Sequence, residues 1–387
     1  MGKRILIAGN SNSVFIIRLL QNIKSQAGAN LEVELYDYRL TPENVNRGEI
    51  PYPVHGVQMP AWARKLVRTP KLRIFIRMFF ECLTLHKLLR KGRYDAINIQ
   101  EMPFYSWLYV ACAHRYGTQA ILTPIGSDAL RVKGWPRLLL KKGFEATDHV
   151  TITVGSGFAE KVFSIFNIDQ NKVRDLSYGS DAISEILRMK GRYTRTELAQ
   201  MLNLPYADYY ICCAYNAKPA QNHSVIVDSI NVNKHLLPAS YQILVPLGYG
   251  NKDAIRMELE EKNKVWNLNL VFLMDFLTPR ETAALRMISD LFIHIQDTDA
   301  HCFTMREFLL ADTEIVNGSW LSYPELESFG VPYHTCSDKE DLKSVLQKVF
   351  SRETPAIACP LPLKEQLQQS SWENVADRWI AFYSSLA

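Results

Sequence analysis

The sequence predicts an α/β protein made of two Rossmann-like domains that face each other across a cleft. The chain has 387 residues, more than one hydrophobic core usually serves. Short apolar runs of strand character alternate with amphipathic helical patterns along it, and this alternation indicates parallel sheets with helical crossovers. Several apolar runs end in glycine, serine or asparagine turns, which are the positions where ligands bind to such sheets.

The change from one alternating series to the next sets the domain boundaries. We expect a first domain over 1–180, a helical connector over 181–204 and a second domain over 205–370. Residues 371–387 form a terminal helix with one apolar face, so this helix should dock on the rest of the protein.

The composition is that of a globular protein, with 47% hydrophobic and 22% charged residues. The seven cysteines show no CxxC spacing, which argues against a disulfide framework or structural zinc and suits a reducing compartment. No apolar run reaches the length of a transmembrane helix or a signal peptide. We therefore expect a cytoplasmic location.

The chain begins in the way a Rossmann-like domain does, with a strand at Arg4–Ala8, a turn at Gly9–Ser13 and a helix from Val14. The turn is not GxGxxG, so a dinucleotide is not expected. Its backbone N–H groups could bind an anion or an acceptor, which makes Ser11 and Ser13 candidates for acceptor binding. An ordinary polar turn is the equal alternative.

Residues 60–91 interleave basic residues with aliphatic and aromatic ones. Ten Lys or Arg lie between Arg64 and Arg93, against the single acid Glu81. Such a segment can lie on an anionic membrane surface. It can equally pack its apolar face on its own domain and leave a solvated basic rim.

Polar residues follow two further strands of the first domain. Tyr94–Gln100 is followed by Glu101, and Ala120–Ile125 is followed by Ser127 and Asp128. Because the carboxyl ends of parallel strands meet at one edge of a sheet, these side chains should share a rim. Each of them could instead be a turn or cap residue.

The stretch Gln296–Tyr323 is the main candidate for a ligand site in the second domain. It follows the apolar run Leu291–Ile295 and passes through a polar loop into a short helical pattern. This order is typical of an α/β nucleotide site. Asp299 and Glu307 mark it, with seven residues between them. Thr304 and Glu307 also fit a helix capping box, which alone would account for the glutamate.

Several segments, taken in order, resemble the GT-B glycosyltransferases, the class with two Rossmann-like domains. Asp299 and Glu307 resemble the paired acids of the E-x7-E retaining families. Asn216–His223 is similar to a family loop that ends in Asn-His before a helix. Leu244–Gly250 is similar to a segment of the transferases of lipid-linked Fuc4NAc (4-acetamido-4,6-dideoxy-galactose), and Tyr178–Asp181 resembles the turn that closes the first domain.

The resemblance implies a site for a nucleotide-sugar donor. Glu307 would accept hydrogen bonds from the ribose hydroxyls and Asp299 from the sugar hydroxyls. The start of the helix near Thr304 would face the diphosphate, and Arg306 would pair with a phosphate or lie exposed. The donor-binding candidates are Asn216, Lys218, Gln221, Gly248, Tyr249, His301, Thr304 and Arg306.

The sequence departs from the family pattern in the loop Asn216–His223 and at the first acid, where Asp299 replaces a glutamate. Asn216 and Gln221 stand where E-x7-E enzymes usually have the Arg and Lys that hold the diphosphate, although Lys218 could substitute. An inverting enzyme would instead need a general base on the rim of the first domain. Asp128 and Glu101 are the candidates for that base, and Ser127 is a further candidate for acceptor binding.

These observations predict a hexosyltransferase that is metal-independent and, by its resemblance, retaining, with the nucleotide sugar as substrate and no cofactor. The acceptor would be a glycan or a lipid-linked sugar in surface polysaccharide synthesis, held by the first domain. Peripheral contact with the cytoplasmic membrane face would run through residues 60–91. The net charge of +4 gives no reason to expect nucleic acid. A nucleotide-sugar epimerase and a non-catalytic GT-B partner subunit remain alternatives.

Overall fold

The computed structural model describes residues 2–39, 50–67, 69–299 and 303–386. The chain divides into two compact units, of which the first comprises Met1–Gly179 with Trp372–Ala387 and the second Ser180–Ser371. Each unit is an α/β domain with a parallel sheet, as the sequence predicts. No helix among these residues has the length and apolarity needed to cross a bilayer.

Each unit is organised on one sheet. The strands of the first unit are β1 (Lys3–Ala8), β2 (Leu31–Asp37), β3 (Val54–Gly56), β4 (Ala96–Gln100), β5 (Gln119–Thr123), β6 (His149–Ile152) and β7 (Val173–Asp175). The strands of the second unit are β8 (Tyr209–Cys213), β9 (Tyr241–Pro246), β10 (Leu270–Leu273), β11 (Leu291–His294), β12 (Glu314–Gly318) and β13 (His334–Cys336). Their orders are β3-β2-β1-β4-β5-β6-β7 and β10-β9-β8-β11-β12-β13.

Helices connect these strands and cover the sheets. Those of the first unit's main segment are α1 (Val14–Gln26), α2 (Ala61–Leu66), α3 (Pro70–Gly92), α4 (Ser106–His114), α5 (Ser127–Leu130), α6 (Trp135–Ala146) and α7 (Gly157–Phe166). Those of the second unit are α8 (Asp181–Met189), α9 (Arg195–Met201), α10 (His223–Val232), α11 (Lys252–Trp266), α12 (Pro279–Ile288), α13 (Phe303–Leu310), α14 (Pro324–Glu327), α15 (Leu342–Phe350) and α16 (Leu361–Gln368). The last helix, α17 (Trp372–Ser385), returns to the first unit.

The connector expected at 181–204 forms α8 and α9, which pack on α12 inside the second unit. Ile183 and Leu198 are buried in the same core as Phe308. The second unit therefore starts at Ser180 rather than near Pro205. The helical pattern of this region is visible in the sequence, but periodicity alone does not show which sheet a helix covers.

The terminal helix α17 packs against α1. Trp379 and Tyr383 are fully buried, and their polar atoms are used, since Trp379 Nε1 donates to Ser177 O at 2.9 Å. Tyr383 Oη accepts a hydrogen bond from Asn98 Nδ2 at 2.7 Å. The end of the chain thus completes the first unit.

The strand order reverses once in each sheet, between β1 and β4 and between β8 and β11. Loops that leave neighbouring strands in opposite directions open a crevice at such a point, and ligands of open α/β sheets bind there. The topology therefore directs attention to the loops after these strands in each unit.

Candidate functional site

A pocket of about 240 Å³ lies at the carboxyl ends of β8, β9 and β10 in the second unit. Its lining includes Tyr215, Gly248, Tyr249, Phe276, Arg286 and Glu307. Thr304 also faces it, from the first turn of α13. The structure thus brings together four of the sequence-predicted residues, Gly248, Tyr249, Thr304 and Glu307.

Gly248 allows two strand ends to approach closely. A Cβ atom there would lie 2.9 Å from Asp275 O and 3.1 Å from the Cα of Phe276, distances at which the backbone would have to shift. The close approach places the Tyr249 and Phe276 rings 6.5 Å apart between centroids. Both rings are exposed, so the pocket has an aromatic mouth that can stack on a flat ligand.

The loop after β8 contacts this mouth through polar groups. Asn216 Nδ2 donates to Tyr249 Oη at 3.0 Å, and Asn216 Oδ1 accepts from the Lys218 N–H at 3.0 Å. The Lys218 ammonium lies 5.6 Å from the centroid of the Tyr249 ring. Gln221 is different, because it is buried and donates to Gln296 Oε1 at 2.6 Å. Gln221 therefore ties the loop to the end of β11.

Glu307 lies in the middle of α13 and is buried. Its Oε1 accepts from Ser180 Oγ at 2.8 Å, and its Oε2 accepts from Arg286 Nε at 3.1 Å. The Arg286 guanidinium also lies 4.4 Å from the centroid of the Phe308 ring. Thr304 lies inside the first turn of α13 rather than at its N-cap, so it does not form a capping box with Glu307. Arg286 was not identified from the sequence.

Arg306 does not line the pocket and is not exposed. Its guanidinium donates to Glu325 Oε1 at 2.8 Å, and both side chains are only 6% accessible. The expectation that Arg306 lies exposed is therefore wrong, and its pairing with a donor phosphate stays a prediction that the Glu325 contact does not support. A buried pair of this kind is expensive to break, since the remaining partner keeps an uncompensated charge.

Asp299 lies in the loop after β11, where its Oδ2 accepts from Tyr323 Oη at 2.8 Å. His294, at the end of the same strand, is buried and its Nδ1 lies 2.9 Å from Asn317 Oδ1. Burial lowers the pKa of His294, while Asn317 and the charge of Asp299 act in the opposite direction. A histidine inside the apolar run of β11 was a signal that sequence reasoning missed. His301 lies outside the described residues.

The first unit contains a larger cavity, of about 870 Å³, beside the carboxyl ends of β2, β4 and β5. Charged residues in its lining are Arg39, Arg73, Arg77, Glu101 and Asp128. The two candidate bases of the first domain therefore do share one rim. Ser127 begins α5, and its side chain lies outside the described part of the structure.

Asp128 joins the loops after β4 and β5. Its carboxylate accepts from the N–H groups of Met102 at 3.1 Å, Ile125 at 3.0 Å and Gly126 at 2.7 Å. Burial raises the pKa of Asp128, although these backbone hydrogen bonds act to lower it. Glu101, whose φ is 51°, forms an ion pair with Arg39 at 3.1 Å.

Ser11 and Ser13 do not line this cavity. The Ser11 N–H donates to Asp37 Oδ2 at 2.7 Å, and Ser11 is fully buried. Ser13 precedes α1 without capping it through its side chain. The Ser/Asn turn after β1 is thus held by Asp37 through the buried Ser11.

Comparison with known proteins shows the fold alone. No family model and no curated protein matches the chain. Among solved structures, the chain is similar to a glycosyltransferase from Rickettsia africae (13% identity, TM-score 0.68, covering 100% of this chain and 98% of that one). It is also similar to Anabaena Alr3699/HepE in complex with UDP (13%, 0.66, 99% and 100%). A third match is sucrose-phosphate synthase from Thermosynechococcus elongatus (15%, 0.63, 98% and 98%).

These similarities extend over nearly the full length of each chain. Together with the two parallel sheets, they define the class of the protein as the GT-B fold of two Rossmann-like domains. The predicted α/β class with two Rossmann-like domains is thereby confirmed.

Proposed function

We propose that this protein is a glycosyltransferase that moves a sugar from a nucleotide-sugar donor to a glycan or lipid-linked acceptor. The observation that carries the proposal is the pocket of the second unit, where Glu307 and its partner Arg286 lie behind the aromatic pair Tyr249 and Phe276. A structure of the same fold, HepE, holds UDP, which supports a nucleoside diphosphate as the occupant.

The proposed roles follow from the chemistry of each side chain. A carboxylate has about four lone-pair sites, so Glu307 can accept hydrogen bonds from ribose hydroxyls while it keeps Ser180 and Arg286. The aromatic mouth stacks on the base. Lys218 supplies positive charge for the diphosphate, whose developing charge is the main feature to stabilise when it leaves. Asp299 accepts from sugar hydroxyls.

The presence of Asn216 and Gln221 in the loop after β8 affects how the diphosphate could be held and therefore whether the protein is catalytic. Neither replaces the cations that the E-x7-E enzymes usually have, and Gln221 is occupied by Gln296. This leaves Lys218 as the cation of the loop and keeps a non-catalytic GT-B partner subunit as the second candidate. For an active enzyme we propose that the anomeric configuration of the sugar is retained and that no metal ion is needed. Analysis of the anomeric product of a reaction run in EDTA would test both points.

Contact with a membrane is part of the proposal. Trp62 of α2 and Phe79 of α3 both belong to the basic segment 60–91, and each of these large apolar side chains is 61% exposed. Large apolar side chains next to clustered cations favour an anionic bilayer surface. A peripheral position on the cytoplasmic face would suit an enzyme of surface polysaccharide synthesis.

Calorimetric titration with UDP, GDP, dTDP and CMP tests the donor site. We expect at least one nucleotide to bind and to slow amide hydrogen exchange in the loops after β8 and β9. Ligand binding to the folded state should also raise the melting temperature. The absence of binding by all four would contradict the donor-site proposal and favour the non-catalytic subunit. If a nucleotide sugar that carries the bound nucleotide is turned over without any acceptor, the protein would instead be an epimerase.

A further inference from the structure

Three arginines face the cavity of the first unit, and they differ in their partners. Arg39 pairs with Glu101 at 3.1 Å. Arg77 pairs with the buried Glu81, with 3.3 Å between Nε and Oε1. The side chain of Arg73 forms no hydrogen bond or ion pair with any described residue. Among the described residues, therefore, none neutralises the charge that Arg73 presents to the cavity.

The lining is also partly apolar. Ile74, Met102 and Phe104 face the same cavity as Arg73. A small inorganic anion would leave these groups in contact with water, whereas an anion that carries a hydrocarbon chain would cover them. The mixture of cation and apolar wall thus fits an amphiphilic anion.

The helix that supplies Arg73 and Arg77 has a different character on its other side. Leu72, Phe75 and Phe79 are spaced as one face of a helix and are 47%, 59% and 61% exposed. Arg73 and Arg77, four residues apart, occupy a separate face that borders the cavity. One helix therefore divides an exposed apolar strip from an arginine-lined cavity.

Charge complementarity identifies what covers the apolar strip. The segment from Arg64 to Arg93 holds ten basic residues and one acid, and clustered juxtamembrane cations are attracted to an anionic leaflet. An amphipathic helix in a bilayer interface keeps its polar face at the level of the headgroups. Arg73 and Arg77 would then lie at the level of lipid phosphates.

We propose that the cavity is the binding site for the phosphate of a lipid-linked acceptor, with Arg73 as its principal contact and the strip of α3 resting on the bilayer. The proposal rests on the proposed function, because only a transferase needs an acceptor. It names the acceptor class as a membrane lipid with an anionic headgroup. The hydrocarbon chain remains in the bilayer and the phosphate enters the cavity beside α3.

The cavity is tested with farnesyl phosphate, a short-chain prenyl phosphate, and with inorganic phosphate as the soluble source of the same anion. We expect the protein to bind farnesyl phosphate at least tenfold more tightly than inorganic phosphate. Arg73→Glu should weaken that binding tenfold or more, since it replaces a charge-assisted contact by repulsion. Lys87→Glu, an equal charge change at an exposed position of the same helix outside the cavity, should leave it unchanged.

The bilayer part is tested by sedimentation with vesicles of phosphatidylcholine and phosphatidylglycerol in a 3:1 ratio. The double change Trp62→Glu, Phe79→Glu should abolish co-sedimentation and leave inorganic phosphate binding unaltered. Val265→Glu, at a position that is 85% exposed in the second unit, is the matched control and should sediment like the wild type. Unchanged sedimentation of the double variant would overturn the membrane contact.

Two results would overturn the cavity assignment. They are equal affinity of farnesyl phosphate for the wild type and Arg73→Glu, and equal affinity of farnesyl phosphate and inorganic phosphate for the wild type. Titration of the same samples with the nucleotide that binds best separates this failure from that of the proposed function. If the protein binds the nucleotide but Arg73→Glu does not change its affinity for farnesyl phosphate, only the acceptor inference is overturned.

Discussion

The pocket of the second unit and the cavity of the first differ in whether an arginine beside them is left without a carboxylate partner. In the second unit, Glu307 is paired with Arg286, and nearby Arg306 is paired with Glu325, all four being buried. In the first unit, Arg39 and Arg77 are paired with Glu101 and Glu81, but Arg73 faces the larger cavity with no carboxylate partner among the described residues. Both sites lie at strand ends of sheets with the same switch-point topology.

The difference teaches what each site requires. Paired buried charges hold a small pocket in a single geometry, which suits a ligand with fixed dimensions such as a nucleoside diphosphate. We therefore interpret the pocket of the second unit as the more rigid of the two sites; the proposed function assigns it to the donor and the first unit's cavity to the acceptor.

The largest expected effect comes from removing one partner of the buried pair in the pocket. Glu307→Ala leaves Arg286 buried without its carboxylate, which should lower the free energy of unfolding by about 3–5 kcal/mol. It should also abolish nucleotide binding, because the ribose loses its acceptor. Chemical denaturation and calorimetry measure the two quantities.

The matched control is Glu325→Ala, which removes the partner of Arg306 outside the pocket lining. It should cost a similar amount of stability while nucleotide affinity stays within about threefold of the wild type in the folded protein. Loss of affinity in both variants would show that the binding defect of Glu307→Ala reflects general destabilisation.

A pH titration should separate the two units in a second way. Burial raises the pKa of Glu81 in the first unit, although hydrogen bonds from Tyr105 and Tyr109 and the charge of Arg77 act against it. A raised carboxyl pKa contributes stability that is fully present below the usual glutamate range. This stability is lost as the pH rises through the raised value.

Glu314 in the second unit behaves oppositely. Burial would raise its pKa, but hydrogen bonds from His334 and Arg352 outweigh burial and lower it. Its contribution is present above the usual glutamate range and is lost as the pH falls through the lowered value. Acidification from neutral pH should therefore strengthen the contribution of Glu81 to the first unit and weaken that of Glu314 to the second, by about 1.4 kcal/mol per unit of pKa difference.

Amide hydrogen exchange resolved by peptide measures this for each unit separately. Glu81→Gln should flatten the pH dependence of the first unit alone, and Glu314→Gln that of the second unit alone. An unchanged pH dependence of the first unit in Glu81→Gln, or of the second unit in Glu314→Gln, would contradict the assigned direction.

The sequence allowed the fold class and part of the pocket to be predicted. Strand and helix alternation indicates the two parallel sheets, and the polar loop and helix start after an apolar run located Glu307. Gly248 and Tyr249 were identified through the resemblance to GT-B glycosyltransferases. Glu81 was also visible, as the one acid of a basic segment. These features depend on local pattern and on the general geometry of parallel sheets.

The pairing of charges could not be predicted from the sequence. Arg286 and Glu307 are 21 residues apart, on different helices, and their contact depends on how α12 packs on α13. Arg306 turned out to face Glu325 for the same reason. Local sequence defines an arginine on a helix, but tertiary packing decides which carboxylate it meets.

The smallest expected effect distinguishes two functions of Tyr249 at the mouth of the rigid pocket. Tyr249→Phe removes the oxygen that accepts from Asn216 at 3.0 Å and keeps the ring next to Phe276. Losing one partly exposed hydrogen bond costs about 0.5–1.5 kcal/mol, so nucleotide affinity should fall by tenfold or less. Tyr249→Ala also removes the stacking surface, which is worth a further 1–3 kcal/mol or so. Calorimetry on both variants gives the difference.

If the two variants lose equal affinity, the ring does not stack on the base and Tyr249 acts only by positioning Asn216. The rigidity ascribed to the donor pocket would then depend on its hydrogen bonds and buried ion pairs, with no contribution from its aromatic mouth.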